Sequence, residues 1–204
     1  MSQQRTATLE RKTKETQISV TLNVDGKGDT NIKTPVGFLN HMLELFAFHG
    51  YFDVNLQVSG DTHIDIHHTN EDIGIVLGKA FKKALGEEKA GIKRFGYAFA
   101  PMEGTVGQCV IDLSGRGFFK CNILGNMPTQ KGTEGYEFAH FEHLMESFAH
   151  NLGATLSFTL QNPSDDLHTN LETMFKSLGL ALDMATTVDP RRAGQVPSTK
   201  GIID

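Results

Sequence analysis

Asp65-Ile66-His67-His68-Thr69-Asn70-Glu71-Asp72 sets two adjacent histidines three and four residues ahead of a glutamate. The apolar spacing that follows predicts a helix over Ile73 to Leu85. Residues three or four apart share a helix face, so one turn brings the Glu71 carboxylate within reach of an imidazole. His67 and His68 point about 100° apart around the axis and can serve two different centres. About a hundred residues on, the pattern returns. A shift of 101 lays His67-x-x-x-Glu71 on His168-x-x-x-Glu172, and Leu77-Gly78-Lys-Ala80 on Leu178-Gly179-Leu-Ala181. A shift of 102 lays His41-Met-Leu-Glu44-Leu-Phe46-Ala47 on His143-Leu-Met-Glu146-Ser-Phe148-Ala149. Two matches, in order and nearly in register, point to an internal duplication. The expected fold is α+β: two similar βαβα-type halves, each a sheet with helices packed on one face. The halves are residues 1–92 and 93–204, the second carrying a C-terminal tail, and together they form one compact unit.

Working outward, Arg11 to Val24 alternates polar and apolar positions through Ile18, Val20, Leu22 and Val24 and predicts one half-buried strand. Asp25-Gly26 and Lys27-Gly28 make a turn, and Asp29 to Thr34 reads as the returning strand. Pro35 to Gly37 breaks the chain ahead of a helix over Phe38 to His49, with Gly50 as its stop. Phe52 to Val58 alternates as a strand, and Gly86 to Gly91 is a turn-rich junction. In the second half, Tyr97 to Met102, Gln108 to Leu113 and Phe118 to Leu124 read as strands. Gly125 to Gly135 reads as a mobile loop. A helix over Tyr136 to Leu152, a strand over Ala154 to Leu160 and a helix over His168 to Thr186 complete the repeat.

The chain has 204 residues, long enough for a substantial core. Its net charge of −5 argues against general nucleic-acid binding. No apolar run reaches the roughly 20 residues that span a bilayer. Met1 to Thr16 is too polar for a signal-peptide core. Cys109 and Cys121 form no CxxC, so two free thiols and a cytoplasmic location are expected. Nine histidines beside no tryptophan are the compositional hint of a metal.

Imidazole and carboxylate without thiolate are the ligands expected for Mn, Fe or Zn. The duplication offers two quasi-equivalent sets. One division places His67, His143, His168 and Glu172 around one metal, and His41, His68 and Glu71 around the other. Spacing does not decide this, and a neighbouring subunit is a possible source of ligands. His49, His63, His140 and His150 read as surface or loop histidines. Arg94, Arg116, Lys176 and Ser198-Thr-Lys200-Gly place cations beside small residues, which suits a phosphate. No GxxxxGK[ST] or GxGxxG is present, so nucleotide binding is not supported.

Arg11-x-Thr13-x-Glu15-Thr16, Gly37-Phe-Leu-Asn-His41-Met, His67-His-Thr-x-Glu71-Asp-Ile-Gly, Gly91-Ile-x-Arg94-Phe-Gly, Pro101-Met, Asp112-Leu-Ser-Gly-Arg116, Glu172-x-x-Phe-Lys176 and Pro197-Ser-Thr-Lys-Gly201 run in order over nearly the whole chain. Together they resemble the imidazoleglycerol-phosphate dehydratase family of histidine biosynthesis. The resemblance implies a dimanganese hydro-lyase, with Mn²⁺ at both sites, assembled as a 24-subunit shell with active sites between subunits. It implies a phosphorylated imidazole substrate, with imidazole glycerol phosphate losing water to give imidazole acetol phosphate. By the same carry-over, Glu15 and Glu172 are proton-transfer groups, Glu172 being also a ligand, and Arg94, Arg116, Lys176, Ser198 and Lys200 hold the phosphate.

The sequence departs from the family at four places. Asn40 stands for an Asp and Ile66 for a polar residue. Glu103-Gly104 stands where the family has Asp-Glu. Most consequentially, His168-Thr169-Asn-Leu-Glu172 carries Thr169 where the family has a second His. A neutral hydroxyl is a poorer ligand for Mn²⁺ than imidazole. The expectation is that the site of His41, His68 and Glu71 is one ligand short. A working dehydratase with a weakened second metal is the leading reading. A metal-binding, assembly-competent paralogue with lost or altered activity is the alternative, and a generic zinc hydrolase lacks the HExxH helix it needs. Retention of Glu15 and the cations favours the first.

Overall fold

The computed structural model describes residues 5–87, 89–126, 133–192 and 194–203. The first half comprises β1 (Thr6–Lys12), β2 (Thr16–Asn23), β3 (Thr30–Lys33), α1 (Gly37–His49), β4 (Asp53–Gly60) and α2 (Ile66–Leu85). The second repeats it as β5 (Phe95–Met102), β6 (Thr105–Asp112), β7 (Phe118–Leu124), α3 (Phe138–Leu152), β8 (Thr155–Gln161) and α4 (Leu167–Thr186). Two four-stranded sheets share one order, β1-β2-β4-β3 and β5-β6-β8-β7. In each, the first three strands in that order are antiparallel and the last is parallel to its neighbour. The fold is α+β, with two similar mixed sheets each covered by helices.

Three expectations change. The stretch from Arg11 to Val24 is not one strand: a turn closed by the Thr13 N–H on the Thr16 carbonyl divides it, and Arg11 and Lys12 end β1, which alternation leaves unannounced because its only apolar residues are Ala7 and Leu9; its counterpart in the repeat is β5. The segment Asp29 to Thr34 does not return beside β2. β3 pairs parallel with β4, Ile32 opposite Leu56, and β4 lies between β3 and β2. Parallel neighbours need a crossover, and α1 supplies it. Helix α2 begins at Ile66, ahead of Ile73, because the Asp65 carboxylate accepts from the His67 N–H at 3.1 Å. The two histidines and Glu71 therefore lie inside its first two turns. Asp166 caps α4 in the same way, accepting from the His168 N–H at 3.0 Å. The loop expected over Gly125 to Gly135 falls mostly outside the described residues.

Inward residues of the sheets, among them Ile18, Val20, Leu22, Leu56, Cys109, Ile111, Leu156, Phe158 and Leu160, are buried against the helices in one continuous core. Each such large side chain contributes about 1.5–3 kcal/mol when removed from water. The halves interlock through their helices. In α2, a Cβ added at Gly78 would lie 2.6 Å from the Phe148 carbonyl oxygen of α3. In α4, a Cβ added at Gly179 would lie 2.4 Å from the Phe46 carbonyl oxygen of α1. Each second helix thus packs backbone to backbone along the first helix of the other half. This exchange brings ligand types from both halves together.

Two buried polar networks set the helices in place. The Tyr136 hydroxyl donates to Asn70 Oδ1 at 2.9 Å, and Asn70 Nδ2 donates to the His140 carbonyl at 2.7 Å. They tie α2 to the start of α3. Buried Asp72 accepts from Thr16 Oγ1 at 2.5 Å and Arg11 Nε at 2.8 Å, tying the β1–β2 turn to α2.

Candidate metal centres

His41 lies in the second turn of α1, and His168 and Glu172 lie in the first two turns of α4. Because α1 runs along α4, one donor atom from each of the three falls within 4.8 Å of the others. Glu172 Oε2 is 3.1 Å from His168 Nε2 and 3.6 Å from His41 Nε2. Its other oxygen, Oε1, accepts from Lys176 Nζ at 2.5 Å. Burial alone would raise the Glu172 carboxyl, but the Lys176 ammonium and His168 hold it below the ordinary value.

The second cluster is the repeat of the first. His67 and Glu71 of α2 meet His143 of α3, again with donor atoms within 4.8 Å of one another. The His67 and His143 rings stack at 4.1 Å with a 16° interplanar angle. His143 Nδ1 is buried without a protein hydrogen-bond partner. Each cluster offers two imidazoles and one carboxylate, a donor set suited to Mn, Fe or Zn. Such groups held together with a buried nitrogen unsatisfied fit a cation.

The chain therefore divides the ligands differently from the expected sets. His41 joins His168 and Glu172, and His67 joins Glu71 and His143. The cause is the α1–α4 and α2–α3 pairing, which periodicity does not encode. Within one chain, His41, His68 and Glu71 do not come together. His68 lies outside both clusters. Its Nδ1 is 3.2 Å from Asp61 Oδ2, and this hydrogen bond holds the imidazole above its ordinary range. Its counterpart Thr169 is buried and donates to Asp166 Oδ2 at 3.2 Å.

Of the candidate phosphate residues, Lys176 belongs to the first cluster. Arg94 lies elsewhere, at a left-handed φ of 74°. Its Nε and Nη2 donate to Asp112 at 2.6 and 3.0 Å, and its Nη1 donates to the Pro197 carbonyl at 3.0 Å. It thereby anchors the tail, in which Ser198 Oγ accepts from the Lys200 N–H at 3.2 Å. Arg116 lies between β6 and β7, its N–H donating to Ser114 Oγ at 3.3 Å. Glu15 sits in the β1–β2 turn, where its N–H donates to Thr13 Oγ1 at 3.1 Å. Glu103-Gly104 forms the two-residue turn of the β5–β6 hairpin, with Glu103 at φ 53°.

Sequence reasoning passed over three residues. His49 lies two turns beyond His41. Burial lowers it below the ordinary imidazole range, with Lys176 adding to the effect. Asn70 and Asp72 flank Glu71 and are buried; their place inside a helix that starts at Asp65 was the available signal.

The family model for imidazoleglycerol-phosphate dehydratase matches residues 34–182. The chain is 49% identical over 200 residues to the imidazoleglycerol-phosphate dehydratase of Pelobacter propionicus, covering 98% of this chain and 99% of the relative.

The chain belongs to the imidazoleglycerol-phosphate dehydratase family.

It is also 46% identical to the imidazoleglycerol-phosphate dehydratase of Thermoanaerobacter pseudethanolicus, over 98% of this chain and all of the relative. Among solved structures, it superposes on that enzyme from Pyrococcus furiosus with a TM-score of 0.78 and 32% identity, covering 95% of this chain and 99% of the other. The imidazoleglycerol-phosphate dehydratase of Staphylococcus aureus gives 0.77 and 29%, covering 90% and 99%. Among the described residues, the two three-residue clusters are what the present chain builds by itself. No helix among the described residues is long and apolar enough to cross a membrane.

Proposed function

We propose that this chain is a metal-dependent hydro-lyase that converts imidazole glycerol phosphate to imidazole acetol phosphate in histidine biosynthesis. The observation that carries the reading is the pair of duplicated His/Glu clusters, His41–His168–Glu172 and His67–Glu71–His143, in a chain of this family. Both would hold Mn²⁺. Two such cations supply the Lewis acidity that lets an imidazole ring take charge from a carbon whose proton is not acidic.

The chain's own groups supply the rest. Glu172 is held ionised by Lys176 and His168, ready to ligate. Glu15 is our candidate for proton transfer, with Glu172 able to take part. The turn carrying Glu15 is fixed by Thr13, Thr16 and Asp72, which ties its backbone to α2. Loss of water requires one group to take the carbon-bound proton and one to protonate the departing hydroxyl. For the phosphate, Arg116, Lys176, Ser198 and Lys200 supply donors, and Arg94 orders the tail that carries two of them.

We place the protein in the cytoplasm as a homo-oligomer, a 24-mer with active sites between subunits. His68 and Glu15 lie outside both clusters, which suits sites completed across an interface. The outer face of the second sheet exposes Phe95, Tyr97, Phe99 and Val110. The same face of the first sheet presents Thr8, Glu10, Ser19 and Thr21. Only the second offers an apolar surface for another copy to cover.

Metal analysis of protein purified without chelator tests the reading. Manganese or a similar metal is expected. One equivalent per chain fits two centres of unequal strength, and no metal contradicts the proposal.

A further inference from the structure

Asp61 is a partly buried acid outside both clusters. It follows β4 directly, and its side chain is 13% exposed. Oδ2 lies 3.2 Å from His68 Nδ1, while Oδ1 is buried with no protein partner. The Asp61 N–H donates to the Glu15 carbonyl at 3.2 Å, which pins the residue to the β1–β2 turn. The His68 side chain is 36% exposed. With Asp61 on Nδ1, the nitrogen left for another partner is Nε2. A carboxylate on one ring nitrogen keeps the proton there, leaves a lone pair on the other, and raises its basicity as a ligand.

The duplication supplies an independent argument. The shift of 101 that carries His68 onto Thr169 also carries Asp61 onto Asn162. Acid and imidazole are absent together from the second copy. There Thr169 turns inward to Asp166, and Asn162 Nδ2 donates to the Gly104 carbonyl at 3.4 Å. The pair is present in one half and replaced at both positions in the other.

We propose that Asp61 is a positioning residue for His68: it accepts a hydrogen bond from Nδ1–H and thereby presents Nε2 outward as a metal ligand. This rests on the proposed metal role of His68. Glu15, anchored through the same Asp61 backbone, is set beside the same corner, so one short segment orients both groups.

Calorimetric titration of metal-stripped protein with Mn²⁺ tests it, using the parent, His68→Ala, Asp61→Ala and the double variant. His68→Ala should weaken one class of site. Asp61→Ala should weaken that same class by about 10–100-fold, the usual effect of removing a carboxylate behind a histidine ligand. The double variant should be no weaker than His68→Ala alone, and the other class should not move. Asp61→Leu, which keeps the backbone donor and comparable bulk but offers no acceptor, should show the same loss and carries the test if the alanine variant fails to fold. If both Asp61 variants bind as the parent does while His68→Ala is weakened, the inference falls and the metal reading stands. If His68→Ala changes nothing, the metal role of His68 falls, and the inference with it. An additive loss in the double variant also overturns it, because Asp61 would then act without His68.

Discussion

At Thr169 the chain carries a hydroxyl where its own first half carries the imidazole of His68. Thr169 is 5% exposed and satisfied by the cap of its helix, so it offers nothing outward. Thr169→His should restore an imidazole at that place and raise the Mn²⁺ bound per chain or tighten the weaker class. Equilibrium dialysis reads this directly, and an unchanged isotherm would show that the missing ligand comes from elsewhere. The cysteines lie outside this chemistry. Burial pushes the Cys109 thiol far above its ordinary value, and burial, with Glu142, pushes Cys121 up to about 12. At pH 8 neither carries appreciable thiolate, the reactive form. Alkylation of native protein at pH 8 should therefore label neither, with two labels per chain in denaturant; mass spectrometry of the intact chain checks this. At this scale the metal-type residues were legible because His and Glu at helical spacing are rare enough to notice. Asp61, Asn70 and Asp72 were not, because their importance is burial and partners, which no spacing records.

Helix pairing is the decisive fact at the level of elements. Gly78 and Gly179, matched by the repeat, let α2 touch α3 and α4 touch α1 at backbone distance. In an isolated helix, Gly→Ala would gain about 1 kcal/mol. Here the added methyl would overlap a carbonyl oxygen, and overpacking of this kind costs up to ~3 kcal/mol. Gly78→Ala and Gly179→Ala should each lose about 2 kcal/mol in chemical denaturation. Gly104→Ala, where an added Cβ meets nothing within 4 Å, should change little. Most elements were readable because their apolar residues alternate or recur by turns. β1 was not, having too few apolar residues to alternate. Nor was the place of β3, because periodicity fixes which face of a strand is buried and says nothing about its neighbour. The same limit hid the division of the histidines between the two clusters, which depends on which helix lies beside which.

For the whole molecule, the duplication accounts for most of what is observed. It repeats one sheet order, one helix pairing and one His/His/Glu cluster, and exchanges ligands between the halves so that neither can build a cluster alone. It was visible in the sequence before any element was assigned, because two segments matched at nearly one shift. Among the described residues the halves differ in the outer face of the second sheet, which is aromatic, and in the Asp61–His68 pair, which the first half alone carries. The central claim is that the two clusters hold the metal that drives dehydration. It is tested most directly by assaying metal-stripped protein for the conversion of imidazole glycerol phosphate to imidazole acetol phosphate, with and without added Mn²⁺. Turnover that is absent without the metal and restored by it is the predicted result. No turnover at any Mn²⁺ concentration, from protein that is folded and assembled, would contradict the account.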